Sequence, residues 1–315
     1  MRLSRRKVVK AGVAIASLSG WPFVARAIDS TVRGVQLGIT TGSLNPLPKV
    51  TGRDPLDILI DECLQLDAAN VELASGFLGP ALAGAAVGGQ VPARITPEYL
   101  QSRQALRRWR LSRESIERCR AVGQKFRTAG LNLFSLSNTF SDDVTDDEID
   151  AMFREMQALG VKIFQTNQSR VSIGPRLAPF VRKYQIRPSF HTHSNVADPN
   201  EVASTASLQK LLEMSDDFMV CLDIGHFAAG NQDAVAYLRE HHERITHIHV
   251  KDRKRDNGPN VAWGTGDTPI IPCLQLIRDN RWPIKALVER EFSGTGTPME
   301  QTRRDLDYMI RALQS

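Results

Sequence analysis

Residues 219–252 read MVCLDIGHFAAGNQDAVAYLREHHERITHIHVKD. An apolar run, Met219 to Leu222, stops at Asp223, and His226 follows three residues later. After a helical stretch, a second apolar-alternating run carries His247 and His249 and ends in Lys251 and Asp252. The order is strand, helix, strand, with polar chemistry at both strand ends. Buried parallel strands are ordinarily continuous apolar runs, so an Asp closing one strand and two His inside the next demand a reason. In a strand, His247 and His249 project to the same side. If that side is a barrel interior, Asp223 and His249 reach a common point at the carboxyl ends of adjacent strands, where α/β folds carry their sites. Taken alone, Asp223 reads as a helix cap. Taken together, these side chains would be costly to bury without a ligand or metal.

Outward from that unit the same rhythm repeats. Strand signals run at Gly34–Thr40, Ala69–Leu73, Leu131–Leu136, Val161–Thr166, Ile186–Thr192, Met219–Asp223, Ile245–Val250 and Lys285–Glu289. Helical periodicity lies between them, at Pro55–Leu66, 98–129, Asp146–Leu159 with Thr145 as its cap, Leu177–Tyr184, Glu201–Met214, Gln232–His242, Pro269–Asn280 and Met299–Leu313. Eight strand–helix units joined by right-handed parallel crossovers give a single (β/α)8 TIM barrel over residues 28–315, within the usual size for that fold. A doubly wound open sheet is the alternative, but no G-x-G-x-x-G follows the first strand. The Gly- and Ala-rich insertion Ala74–Pro97 reads as a lid or a disordered loop.

Residues 1–27 read as a leader rather than as fold. Arg5 and Arg6 sit in a basic head, a short apolar run follows, and Ala25-Arg26-Ala27 has the form of a cleavage site. The paired arginines point to the twin-arginine (Tat) route, so the expectation is a periplasmic protein beginning near Ile28 and handled by the Tat translocase during export. The run is too short to span a bilayer. The chain holds 40 basic and 35 acidic residues. Arg2, Arg5, Arg6, Lys7, Lys10 and Arg26 lie in the leader, which leaves 34 basic side chains against 35 acidic. A nucleic-acid partner therefore has no compositional support, and basic runs such as Lys251–Arg255 read as solvated loop. Cys63, Cys119, Cys221 and Cys273 form no C-x-x-C pair and read as small buried apolar residues.

The polar strand ends gather into one constellation. His191 or His193 ends the fifth strand, Asp223 the sixth, His249 the seventh, and Glu289 or Glu291 the eighth. Two imidazoles and two carboxylates suit one divalent ion, Mn, Fe, Co or Zn, and suit Mg less well, since it prefers all-oxygen sites. Glu72, Gln165 and Asn167 end the second and fourth strands and offer hydrogen bonds to sugar hydroxyls. Gly264 and Gly266 shape the loop after the seventh strand.

Four segments carry a resemblance to the xylose isomerase-like TIM barrels, the sugar phosphate isomerases/epimerases. They are D-I-G-H (Asp223–His226), H-I-H-V-K-D (His247–Asp252), W-G-T-G-D (Trp263–Asp267) and V-E-R-E (Val288–Glu291). The resemblance implies that Asp223, His249 and Glu289 bind one divalent metal. The fourth ligand in that family is typically a Glu ending strand five. Here H-T-H stands there, so the matching position is His191 and the sequence departs from the Glu form. His193 then becomes a substrate contact, and Glu291 one in the loop after the last strand.

The chemistry implied is removal of a proton next to a carbonyl, with the metal stabilising the enediolate of a keto-sugar. Glu289, Glu291, His193 and Lys251 are candidate bases, with Glu289 first by resemblance, and His226 is placed to donate to a substrate oxygen. The expectation is a sugar isomerase or epimerase. One alternative is a periplasmic lyase that uses the same enediolate for β-elimination from a 3-keto-glycoside. Another, of a different class, is a non-catalytic sugar-binding protein on a degenerate barrel. The family also includes endonucleases for abasic DNA, which need a richer metal cluster and a basic groove, and neither is visible in the sequence.

Overall fold

The computed structural model describes residues 28–83, 95–140, 143–167 and 169–315. The proposed leader, and residues 84–94 of the expected insertion, lie outside the described residues. The described residues form nine strands: β1 Thr31–Val32, β2 Val35–Thr40, β3 Asn70–Ala74, β4 Asn132–Thr139, β5 Ile163–Asn167, β6 Arg187–His191, β7 Met219–Asp223, β8 Ile245–Val250 and β9 Lys285–Val288. From β2 to β9 each strand pairs in parallel with the next, and β9 pairs in parallel with β2, so the sheet closes into an eight-stranded barrel. The short β1 lies antiparallel on the start of β2.

The expected alternation of strand and helix is the alternation observed. Every residue of β7 is buried, as a strand covered on both faces requires. Helices start where short polar side chains can cap them. Thr145 and Glu148 make a reciprocal capping box at the head of Asp146–Leu159, and Thr297 and Glu300 make another at the head of Pro298–Gln314.

Several boundaries differ from the sequence reading by a few residues, and three of the differences have a clear physical reason. The charged region 98–129 is two helices, Pro97–Arg110 and Arg113–Thr128, separated at Leu111 and Ser112, where Ser112 Oγ turns back to the Trp109 carbonyl. The helix expected from Glu201 begins only at Thr205, because Ser204 caps it in a box with Ser207. Strand β4, expected to end at Leu136, runs on through polar Ser137, Asn138 and Thr139, which stay in ladder with Gln165, Thr166 and Asn167. A strand read from apolar runs alone stops too early there. The four cysteines are buried and free, as expected of small apolar residues.

Candidate active site

At the carboxyl ends of β6 to β9, one ligand atom from each of His191, Asp223, His249 and Glu289 comes within 4.8 Å of the others. Parallel registration does much of this work: Asp223 is level with His249 on the neighbouring strand, and Glu289 follows directly after β9. His191 Nε2 is 3.2 Å from Asp223 Oδ2 and 3.6 Å from Glu289 Oε2, and His249 Nδ1 is 3.3 Å from the same Glu289 oxygen. Asp223 holds both roles considered for it. Its Oδ2 faces the cluster, while Oδ1 accepts from the His226 amide at 2.7 Å and caps the short helix Ile224–Ala229.

The paired candidates of the sequence separate cleanly in space. His191 is buried in the cluster, whereas His193 sits at the rim with Nδ1 3.5 Å from Glu201. Glu289 reaches the cluster, whereas the half-exposed Glu291 meets Lys251 and Asn260. His226 packs beside both, with ring centroids 5.0 Å from His193 and 5.7 Å from His191.

Lys251 corrects one expectation. Its Nζ lies 2.9 Å from Asp223 Oδ2, 2.8 Å from Glu289 Oε2 and 2.9 Å from Glu291 Oε2. Burial pulls its pKa down, but Asp223, Glu289 and Glu291 outweigh that and raise it above the usual lysine value. An ammonium with three donors on three carboxylates is a cationic clamp, so Lys251 is not placed as a base. It fits beneath the helix turn because Gly225 has no side chain: a Cβ there would stand 2.5 Å from Lys251 Cγ. Burial also pushes up the pKa of Glu289, but the charges of Lys251 and His249 win and hold it well below the usual carboxylate range.

Glu72 reaches across the barrel from β3. Its Oε2 accepts from His247 Nε2 at 3.1 Å, and its Oε1 lies 3.0 Å from His249 Nε2. Although the pocket wall includes it, both oxygens are engaged by imidazoles, which explains a carboxylate held anionic despite burial. Besides bordering the cavity, Glu72 meets the His247 and His249 rings, and His247 is fixed on its other side by Thr246 Oγ1 at 2.7 Å. His247 and His249 do share the barrel interior, as their spacing predicts.

Next to this charged centre a cavity of about 270 Å³ is lined by Thr40, Asn45, Ser137, Gln165, Asn167 and Glu289, among others. Ser137 donates to Gln165 at 2.6 Å. The guanidinium of Arg290 also lines it, but its donors go to the carbonyls of Ser43, Asn45 and Phe292.

The loop Trp263–Asp267 is no phosphate cradle. The amides of Gly264 and Gly266 both donate to Asp252 Oδ2, at 2.8 and 2.9 Å. A Cβ on Gly266 would stand 1.9 Å from Asp252 Oδ1, so Asp252 anchors this loop and the glycine is needed for its approach. The basic run Lys251–Arg255 is likewise not all solvated, since Arg253 is 9% exposed and donates to His226 Nδ1 and Ser194 Oγ. Sequence reading missed Arg253. The one available signal was its place directly after Lys251-Asp252 at a strand end.

The residues present fit a divalent ion. Two carboxylate oxygens converge with two imidazoles; the His249 nitrogens face carboxylate oxygens of Glu72 and Glu289 without an aligned hydrogen bond, and buried His191 Nδ1 has no partner among the described residues. Leaving such groups unpaired is costly unless something else satisfies them.

Among known proteins, this chain is 26% identical over 154 residues to an inosose dehydratase of Clostridium tetani, a match covering 42% of this chain and 50% of that one. The chain thus spans about half the length of the curated relatives it matches. Among solved structures, it superposes on an IolI protein with a bound zinc atom at a TM-score of 0.58 and 12% identity, covering 89% of this chain and 96% of that one. It superposes on the 3-keto-D-glucoside 4-epimerase of E. coli at a TM-score of 0.57 and 10% identity, covering 88% and 99%. At such identities the likeness is one of fold. Residues 97–312 match the family model for the xylose isomerase-like TIM barrel, and the chain belongs to that family.

Proposed function

We propose that this chain is a divalent-metal-dependent enzyme that moves the proton next to the carbonyl of a neutral keto-sugar, as an isomerase or epimerase. The observation that carries the reading is the convergence of His191, Asp223, His249 and Glu289 beside a cavity walled by hydroxyls and amides. These four residues would hold the ion, which when bound polarises adjacent oxygens of a hydroxy-ketone. The zinc in the similarly folded IolI protein supports a transition metal of the Mn, Fe, Co or Zn kind.

In this reading Glu289 carries the proton, since it belongs to both the charged cluster and the cavity wall. Lys251 holds Glu289 anionic, and His226 donates to a substrate oxygen. Asn167 and Gln165 hydrogen-bond hydroxyls from the opposite wall, and His193 and Glu291 border the entrance. Arg290 has three of its five N–H donors turned to main-chain carbonyls, and the proposed export favours an uncharged sugar over a sugar phosphate.

A second reading keeps the same first step and follows it with expulsion of a substituent β to the ketone. The similarity to inosose dehydratases supports it. A sugar-binding protein is the reading of the other class. One experiment separates the three: a panel of ketoses, inososes and 3-keto-glycosides in deuterated buffer with Mn, Co or Zn, followed by NMR at the carbon next to the carbonyl. Metal-dependent exchange abolished in Glu289→Gln is the expected result, and the product distinguishes isomerase from lyase. Tight sugar binding without exchange, isomerisation or elimination would replace the enzyme reading with the binding one.

The leader motif extends the proposal to twin-arginine export and a periplasmic location. Replacing Arg5 and Arg6 by Lys should retain the protein in the cytoplasm, and undiminished periplasmic recovery would overturn this.

A further inference from the structure

The chemistry of His226 depends on which ring nitrogen carries its proton, and its neighbour decides that. Arg253 Nη1 lies 2.6 Å from His226 Nδ1 and 3.1 Å from Ser194 Oγ. Its Nε and Nη2 both donate to the Gly258 carbonyl, at 3.2 and 2.8 Å. The main chain of Arg253 is equally fixed, its amide donating to Thr268 Oγ1 at 3.0 Å and its carbonyl accepting from the Asp267 amide at 2.8 Å. The guanidinium therefore cannot turn away without breaking several bonds at once.

A guanidinium has donors and no acceptor, and it stays protonated in proteins. A ring nitrogen facing it at 2.6 Å must be the acceptor. A neutral imidazole whose Nδ1 accepts carries its proton on Nε2. This assignment follows from the chemistry of the partner, not from a placed hydrogen. The His226 backbone is pinned by Asp223 Oδ1, and its ring stands beside those of His191 and His193. Both the position and the tautomer of the ring are thus set by residues other than the ring itself.

We propose that Arg253 is a positioning residue that locks His226 as a neutral Nε2–H donor. The role of that N–H toward a substrate oxygen rests on the function proposed above, whereas the tautomer does not. Locked this way, His226 stabilises negative charge developing on an oxygen and is denied the part of general base, which leaves proton abstraction to a carboxylate. The competing view is that Arg253 is only a strap tying the loop after β8 to the helix Ile224–Ala229.

The two views part in the NMR spectrum of the ring. The chain contains seven histidines, so long-range 15N–1H correlation on histidine-labelled full-length protein, with His226 assigned by its loss in His226→Gln, resolves the tautomer without any substrate. The expected pattern is a single neutral Nε2–H form in the wild type. In Arg253→Met it should give way to a tautomer mixture or a charged ring. Ser194→Ala removes a neighbouring partner of the same Nη1 and should leave the pattern unchanged. A wild-type His226 that is charged or protonated on Nδ1 would overturn the proposal, as would an unaltered tautomer in folded Arg253→Met. Should Arg253→Met fail to fold, Arg253→Ala takes its place, and the wild-type spectrum alone still overturns the proposal if the ring is charged or protonated on Nδ1. With a turned-over substrate in hand, Arg253→Met should lower kcat by roughly 100-fold, the lower end of what a positioned donor or acid contributes, while KM moves little. An unchanged tautomer alongside intact catalysis would leave the function and remove only the lock.

Discussion

The two halves of the barrel end their strands in different chemistry. From β6 to β9 the ends present His191, Asp223, His249 and Glu289, all ionisable and all drawn into one cluster. On the side of β2, β4 and β5 they present Thr40, Ser137, Gln165 and Asn167, which are neutral and line the cavity. Glu72 on β3 is the exception by strand, and its oxygens face across the barrel to His247 and His249. Buried charges are tolerable only when each can be paired, so gathering them in one half lets one clamp serve several carboxylates. The other half is then free to meet hydroxyl groups with hydroxyls and amides. The charged half is suited to chemistry and the neutral half to recognition, and substitutions in each should fail in different ways.

The largest effect should come from removing the clamp. In Lys251→Met, Asp223 and Glu289 would face each other across a buried site without the ammonium that now bonds both. Deleting one partner of a buried ion pair typically costs about 3–5 kcal/mol. Urea denaturation should show a loss of that order in metal-free buffer, largely recovered on adding a divalent cation, because the ion replaces the missing positive charge. A variant as stable as the wild type without metal would mean that the carboxylates of this half do not depend on Lys251.

The next effect should fall mainly on metal binding, with a smaller loss of stability, because Asp223 Oδ2 also meets the buried Lys251 ammonium, which keeps two other carboxylates. Asp223→Asn keeps a good helix cap, since Asn and Asp are nearly equivalent at that position, but it removes one anionic donor from the cluster. Loss of even an outer partner of a metal ligand typically costs 10–100-fold in affinity, so loss of the carboxylate itself should weaken metal binding by at least about 100-fold. Metal content after dialysis, read beside the thermal midpoint, checks both halves of this expectation. Full occupancy in a folded Asp223→Asn would break the assignment of metal chemistry to β6–β9.

What was legible in the sequence follows the same division. Ionisable residues at the ends of apolar strands are conspicuous because burial penalises them, so Asp223 and His249 stood out in the sequence, together with the pairs His191/His193 and Glu289/Glu291. The neutral wall did not. Ser137 and Asn138 look like the end of a strand, and only pairing with β5 shows that the strand continues and carries Ser137 to the pocket. Contacts that span the chain were equally hidden: Glu72 and His247 are 175 residues apart, and nothing local to Glu72 distinguishes a sugar contact from a brace for imidazoles. Arg253 was lost in a basic run because its burial depends on the loop 253–268 folding back on its own main chain. Nor did the choice between His191 and His193 rest on local pattern, since both share one face of an extended segment. That geometry appears only when β7 and β8 supply Asp223 and His249.

The smallest effect, and the sharpest test of the division, belongs to the neutral half. Gln165 is 2% exposed, accepts from Ser137 at 2.6 Å and borders the cavity. It is also removed from the charged cluster, since no contact of Gln165 with His191, Asp223, His249 or Glu289 occurs among the hydrogen bonds of the described residues. Gln165→Ala would delete a hydrogen-bonding group from the cavity wall without changing any charge. A neutral hydrogen bond contributes about 0.5–1.5 kcal/mol net, so KM for the turned-over sugar should rise by roughly two- to tenfold, with kcat and metal affinity nearly unchanged. That combination would be diagnostic, because a residue that binds ground state and transition state equally shifts KM alone. If metal affinity or kcat falls in Gln165→Ala as steeply as in Asp223→Asn, recognition and chemistry are not divided between the halves, and the neutral wall is part of the same charged machine.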